Sequence, residues 1–378
     1  MQPLPALKKS LEQLARRQPK NGRLSVTPRE RVLNLMAGDT ADAVPFVIWN
    51  NKLPGEPVNS QLLAAGTCII NKSSVYTMSF PGIELETQNL PPRNGFARRR
   101  RIFRTASGVI TTVERLVPGT VWLEKTLFTG PHDYDALEDF IAAKVYTPCY
   151  DKFLADDRMY GTQSLERPET IYTPIQDLIC KYMTVQAFCI EWADRRASLL
   201  DLCEVIAADR RKRLAIVAAS PANYVIVEGN VIPQVIGRSR FQQYHLPHIE
   251  QACELLHNAG KLAGGHFDAH NRIIADLIAR TSLDIIESFT PAPDCDLDLK
   301  EARRLWPDKT IQINFPSSVH LAGPDKVRQV ARRILHQAAP GGRFIVGVSE
   351  DISDRGVSTL VPLACTVRDY GRIPIPTD

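Results

Sequence analysis

From about residue 220 onward, short apolar runs recur at regular intervals: NYVIVE (223–228), KLAGGHF (261–267), LDIIES (283–288), IQINF (311–315) and RFIVGVSE (343–350). Each is followed by a stretch with a different period. Ile249, Ala252, Cys253, Leu256 and Ala259 fall on one helical face, and so do Val327, Val330, Ile334, Leu335 and Ala338. Short strands alternating with amphipathic helices indicate βα units on a parallel sheet.

Upstream, VPFVIW (44–49) reads as a first buried strand and 184–214 as a helix-rich region. RRRRIFRTASGVITTVERL (98–116), centred on ASG, reads as an antiparallel hairpin that interrupts the regular pattern, with Pro91-Pro92 marking a turn before it. Two weaker strands, near 122–128 and 171–175, bring the count to eight. The predicted fold is α/β: a single (β/α)8 TIM barrel over residues 25–378 carrying an inserted β-hairpin, preceded by a basic, weakly helical arm at residues 1–24. An open doubly wound sheet is the competing architecture.

Composition narrows the function without deciding it. Apolar residues make up 44% and charged residues 23% of 378, ordinary values that leave ample material for a core. A formal charge of +4 is small for this length and calls for neither nucleic acid nor an anionic membrane. The basic runs ARRRRIFR (97–104) and DRRKR (209–213) are explained locally, as a hairpin strand and a helix end. The eight cysteines form no CxxC pair, which suits reduced thiols in a cytoplasmic protein. The N-terminal stretch has no uninterrupted apolar segment, and nothing approaches the roughly 18 apolar residues of a membrane span. A small molecule is the expected partner.

In a (β/α)8 barrel the C-terminal strand ends open onto one face, where chemistry is assembled. The ends predicted here carry Glu228, His266 with Asp268, Glu287, and Glu350 with Asp351. His266 and Asp268, two residues apart, can face one divalent ion, and Glu350 from another strand end can join them. The competing reading of the His-x-Asp triplet is a loop histidine bonded to backbone. Glu228 and Glu287 are the candidate catalytic acids, Tyr224 and Asn314 candidate pocket-lining residues, and His270 a capping or surface residue. A GxSxG elbow, a Walker loop, GxGxxG after a strand and HExxH are all missing from the sequence.

The entry segment RERVLNLMAGDTADAVPFVIW and the C-terminal half, above all GKLAGGHFDAHNRIIADLIARTSLDIIESFTPAP and GGRFIVGVSEDI, resemble the uroporphyrinogen decarboxylase superfamily of (β/α)8 barrels. The resemblance covers most of the chain and is weakest between 130 and 220. The Arg-Gln-Ala-Gly-Arg run of uroporphyrinogen decarboxylase proper does not follow VPFVIW, so a tetrapyrrole would lack its positioning arginines. The corrinoid-dependent methyltransferase branch binds zinc through a His-x-Cys pair and a later cysteine. His266 falls on that histidine, while Asp268 and Glu350 stand where the cysteines would be.

The resemblance implies a metal-dependent methyltransferase, with zinc the expected ion. It would move a methyl group between a small-molecule donor or acceptor and a corrinoid carried on a partner protein. It also implies a monomer or homodimer. Two alternatives stay open: a metal-free lyase acting on a small carboxylate, in which the same acids and His266 handle protons, and an inactive ligand-binding barrel.

Overall fold

The computed structural model describes residues 26–117 and 120–376, so the expected arm at 1–24 lies outside the described residues. The chain forms two compact units, one containing residues up to Val75, Tyr150–Thr170 and Val217 onward, the other Tyr76–Cys149 and Ile171–Ile216.

The first unit is a (β/α)8 barrel. Its strands are β1 (Phe46–Trp49), β2 (Cys68–Lys72), β3 (Ser164–Arg167), β4 (Tyr224–Glu228), β5 (Leu262–His266), β6 (Ile285–Phe289), β7 (Thr310–Asn314) and β8 (Phe344–Val348). All pairings are parallel. Hydrogen bonding runs continuously in the order β4-β5-β6-β7-β8-β1-β2-β3, a nearly closed ring. All six strands expected from the strong apolar runs are present. Helices Leu246–Asn258 and Pro324–Ala338 bury the stripes that the spacing predicts.

The two weaker strands are corrections. Residues 120–125 form a strand, but in the antiparallel sheet of the second unit, and 171–173 are irregular before a short helix at Pro174–Asp177. The remaining barrel strands are instead CIINK and SLER. SLER has one apolar residue, Leu165, and therefore no hydrophobic signature, although all four residues are buried.

The barrel interior is hydrocarbon at its lower levels. Val47, Cys68, Ile70, Leu165, Tyr224, Ile226, Leu262, Ile285 and Ile345 form one core with Val32, Leu33 and Met36 of the helix Pro28–Met36. Tyr224, expected to line a pocket, is wholly buried in that core. A capping box starts the helix: Thr27 Oγ1 accepts from Glu30 N (3.2 Å), and Thr27 N donates to Glu30 Oε2 (2.9 Å).

Gly264 is small because the barrel demands it. A Cβ there would lie 2.6 Å from Ile226 Cδ1 and 3.3 Å from Ile285 Cβ. Gly264→Val should therefore cost about 1–3 kcal/mol by overpacking, read as a lower urea midpoint; an unchanged midpoint would contradict this packing.

The second unit contains the antiparallel sheet Glu84–Arg93, Phe96–Arg104, Val109–Val117 and Thr120–Lys125. The predicted hairpin is there. Pro91 and Pro92 lie within the edge strand rather than at the turn, which Asn94 and Gly95 make with positive φ. The arginines of the basic run find local carboxylates, Arg98 with Glu124 (2.7 Å) and Arg99 with Glu114 (2.5 Å). Residues 209–213 fall inside the helix Arg196–Ala219 and not at its end. There Arg213 is buried against Asp177 (2.5 Å) and Asp209 (3.2 Å). Among the described residues, no helix is long and apolar enough to cross a membrane.

Candidate active site

Lys72, Arg167 and Glu287 lie two residues beyond the core positions Ile70, Leu165 and Ile285, and His266 lies four beyond Leu262. Side-chain alternation along a strand turns all four inward, at the C-terminal end of the barrel. Hydrocarbon therefore gives way to charge within one layer.

Glu287 is the hub. It is fully buried, with Oε1 3.2 Å from Arg167 Nε and Oε2 accepting from Arg167 Nη2 (3.2 Å), a forked pair with a guanidinium that is itself inaccessible. The same Oε2 lies 3.0 Å from His266 Nδ1. On the other side of the ring, His266 Nε2 is 3.2 Å from Asp268 Oδ2, and Asp268 reaches solvent at 29% exposure, so the chain of contacts ends at water. The Trp49 indole is shared by three cation-bearing groups. Lys72 Nζ stands 3.8 Å from its centroid, Arg167 Cζ 5.5 Å, and the His266 ring centroid 5.6 Å.

The protonation states follow from these contacts. Burial alone would lower the His266 pKa, but the hydrogen bonds to Asp268 and Glu287 outweigh it and raise the value to about 9. With a carboxylate at each ring nitrogen, His266 is an imidazolium at neutral pH. Burial would raise Glu287, yet the Arg167 charge, the His266 hydrogen bond and the Lys72 charge bring it down to about 2. Burial would also raise Asp268, and its bond to His266 holds it below the usual carboxylate range. Lys72 is pushed down to about 8 by desolvation first and by Arg167 second.

The other expected site residues are divided. Glu228 is buried beside His245, whose Nδ1 is 2.8 Å from Oε2, while Oε1 accepts from Gly229 N (2.9 Å). Glu350 accepts from Ser317 Oγ (3.2 Å), and its pKa is raised by burial and by the Asp268 charge. Asn314 accepts from Ser349 N (2.9 Å). His270 is an exposed loop residue 4.0 Å from Asp296. The site thus joins His266, Asp268 and Glu287, adds Trp49, Lys72 and Arg167, and ties Glu228 to a separate histidine. No sequence signal marked Lys72 or Arg167, because neither of their strands was recognised; once β2 and β3 are known, the strand-end rule finds both.

As arranged, His266, Asp268 and Glu350 do not fit a zinc ion. A ligating histidine needs an unprotonated ring nitrogen, and both nitrogens of His266 face carboxylates. Among the described residues no three His, Cys, Asp or Glu side chains gather closely enough to hold an ion. The nearby Cys295 thiol, pushed up to about 12 by burial first and then by Asp268 and Glu350, stays protonated and donates to the Asp268 carbonyl (3.1 Å).

An NMR titration of the histidine rings should find His266 keeping both ring protons through neutrality and losing one near pH about 9, with a lower midpoint in Asp268→Asn. The sign follows from the raised value: the protonated form is the one the fold favours. A midpoint at the ordinary 6.5 would contradict this electrostatic account.

Among solved structures, the Clostridium thermocellum N-terminal endo-1,4-beta-D-xylanase 10B, CBM22-1 and GH10 modules complexed with xylohexaose, aligns over 95% of this chain and 70% of that one. Its identity is 9% and its TM-score 0.42, too low to bear on fold or chemistry. No curated protein matches the chain. A model of the family described as Uroporphyrinogen decarboxylase (URO-D) matches residues 179–354, a span that contains Glu228, His266, Asp268, Glu287 and Glu350. Over that span the chain is similar to the uroporphyrinogen decarboxylase family, and the match does not separate the branches within it.

Proposed function

We propose that the barrel mouth is the active site of a URO-D-like lyase that removes carbon dioxide from a small carboxylate and returns a proton to the carbon left behind. The observation that carries this reading is the His266 ring with a carboxylate at each nitrogen, Glu287 on Nδ1 and Asp268 on Nε2, an arrangement that favours the imidazolium. It is a charged acid at neutral pH, fixed in orientation and connected to solvent through Asp268. The bond from the substrate carbon to its carboxylate breaks, carbon dioxide leaves, and the electron pair stays on the carbon. That carbon takes the proton from His266, and Asp268 relays a replacement from water. Lys72, over the Trp49 face, stands at the same mouth where a substrate would sit.

A second reading is methyl transfer between a small-molecule donor or acceptor and a corrinoid on a partner protein, assisted by zinc on His266, Asp268 and Glu350. One observation favours it: a carboxylate on Nδ1 with Nε2 turned to Asp268 is the orientation used to steer a metal-ligating histidine. This reading requires Asp268 to leave Nε2 and Glu350 to leave Ser317.

Two measurements separate the readings. Carbon dioxide release from a panel of small carboxylic acids should be detected with the wild type and fall away in His266→Gln. Elemental analysis of protein prepared without chelator should show no stoichiometric zinc. Bound zinc that disappears in His266→Gln would overturn the proton-donor assignment in favour of methyl transfer.

A further inference from the structure

Among the described residues no carboxylate pairs with the Lys72 ammonium, whereas Lys52 is bound to Asp351 (2.6 Å) and Arg167 to Glu287 (3.2 Å). It stands at the last position of β2, with an exposed side chain, directly across the ladder from Arg167 at the end of β3. A surface lysine would extend into water. This one lies over the indole that also carries the His266 ring, 3.8 Å from the Trp49 centroid.

We propose that Lys72 is a nucleophile that forms an iminium with the carbonyl carbon of a 3-oxo acid, making 3-oxo acids the substrate class of the lyase activity; this rests on the decarboxylase reading above. The geometry places three requirements around one ring: an amine at a strand end, a guanidinium near it, and an acid beside it. Desolvation first and the Arg167 charge second favour the neutral amine, opposed by Glu287, Glu169 and the indole face, and the net direction is a lowered pKa.

The chemistry balances. The Lys72 amine attacks the ketone carbon and, with one proton taken up, water leaves with the carbonyl oxygen to give a C=N⁺ iminium. The bond between the α-carbon and its carboxylate then breaks. Its electron pair moves through the α-carbon into the C=N⁺ bond, giving carbon dioxide and a neutral enamine. His266 donates its proton to the α-carbon, restoring the iminium, and water releases the ketone and the free lysine. The net reaction consumes the 3-oxo carboxylate and one proton, and yields the ketone and carbon dioxide.

The test is reductive trapping. The full chain is incubated with acetoacetate, oxaloacetate or 3-oxoglutarate and sodium cyanoborohydride, then digested and mapped by mass spectrometry, with carbon dioxide release followed in parallel. At least one acid should leave a reduced adduct on Lys72, with labelling at least about tenfold ahead of exposed lysines such as Lys300 and Lys326, because the barrel mouth holds the substrate beside its amine. Lys72→Arg should lose the adduct and the release of carbon dioxide while keeping its circular dichroism. Labelling of Lys72 no greater than that of Lys300 with all three acids overturns the proposal. If carbon dioxide is still released without an adduct, the iminium falls and the His266 reading stands. An adduct with no carbon dioxide release keeps the nucleophile and removes the decarboxylase reading.

Discussion

Glu287→Gln is expected to destabilise the folded protein by about 3–5 kcal/mol, because it leaves a fully buried guanidinium without its counter-charge. Arg167 and Glu287 both have no solvent access, so water cannot compensate the loss. The size is set by the stranded charge and not by the value of the pair. Replacing both partners by well-packed neutral groups should therefore recover much of the deficit, and Arg167→Met with Glu287→Gln should be more stable than Glu287→Gln alone. Urea unfolding at neutral pH of the two single variants and the double variant measures this. A single variant within about 1 kcal/mol of the wild type would mean that water reaches Arg167.

The same cluster gives stability a defined dependence on pH. Glu287 has a depressed value, so its contribution is present above the ordinary 4.5 and is lost as pH falls towards about 2. His266 has a raised value, so its contribution is fully present below 6.5 and disappears as pH rises through about 9. The wild type should lose stability at both ends, and Glu287→Gln should show weaker slopes in both windows.

His266→Gln should have the opposite profile, a large loss of turnover with a modest loss of stability. Removing a positioned general acid lowers rates by about 10²–10⁴-fold. The folded state loses less, because Glu287 keeps its forked contact with Arg167 and Asp268 is already partly hydrated. A destabilisation of about 1–3 kcal/mol covers the hydrogen bonds that are broken. In the wild type, kcat/KM should fall as pH rises through about 9, where the imidazolium is lost, and the variant should lack that limb. Carbon dioxide release undiminished in His266→Gln would remove His266 from proton transfer.

How far the sequence reached depended on how each strand is buried. Six barrel strands and the long helices flanking them were legible, because strands enclosed within a barrel carry apolar runs and the helices around it carry one-sided stripes. The hairpin was legible for a related reason, since Ala106, Ser107 and Gly108 stand where the apolar pattern breaks. CIINK and SLER were not. SLER is buried by its neighbours and not by its own composition, and Glu166 and Arg167 are paid for by tertiary partners that no local pattern reveals.

The candidate site divides along the same line. The sequence alone put His266, Asp268 and Glu287 at or just beyond strand ends; Glu287 lies in the middle of β6, level with His266, and strand alternation turns both inward. Only the tertiary structure decided what they do there. It placed Arg167 on Glu287, which favours that carboxylate as an anion; it set a carboxylate at each nitrogen of His266, which favours the protonated ring; and it drew Glu228 to His245. Protonation and partnership depend on distances of about 3 Å between residues as many as 120 positions apart, and such distances are set by barrel closure and not by neighbours along the chain.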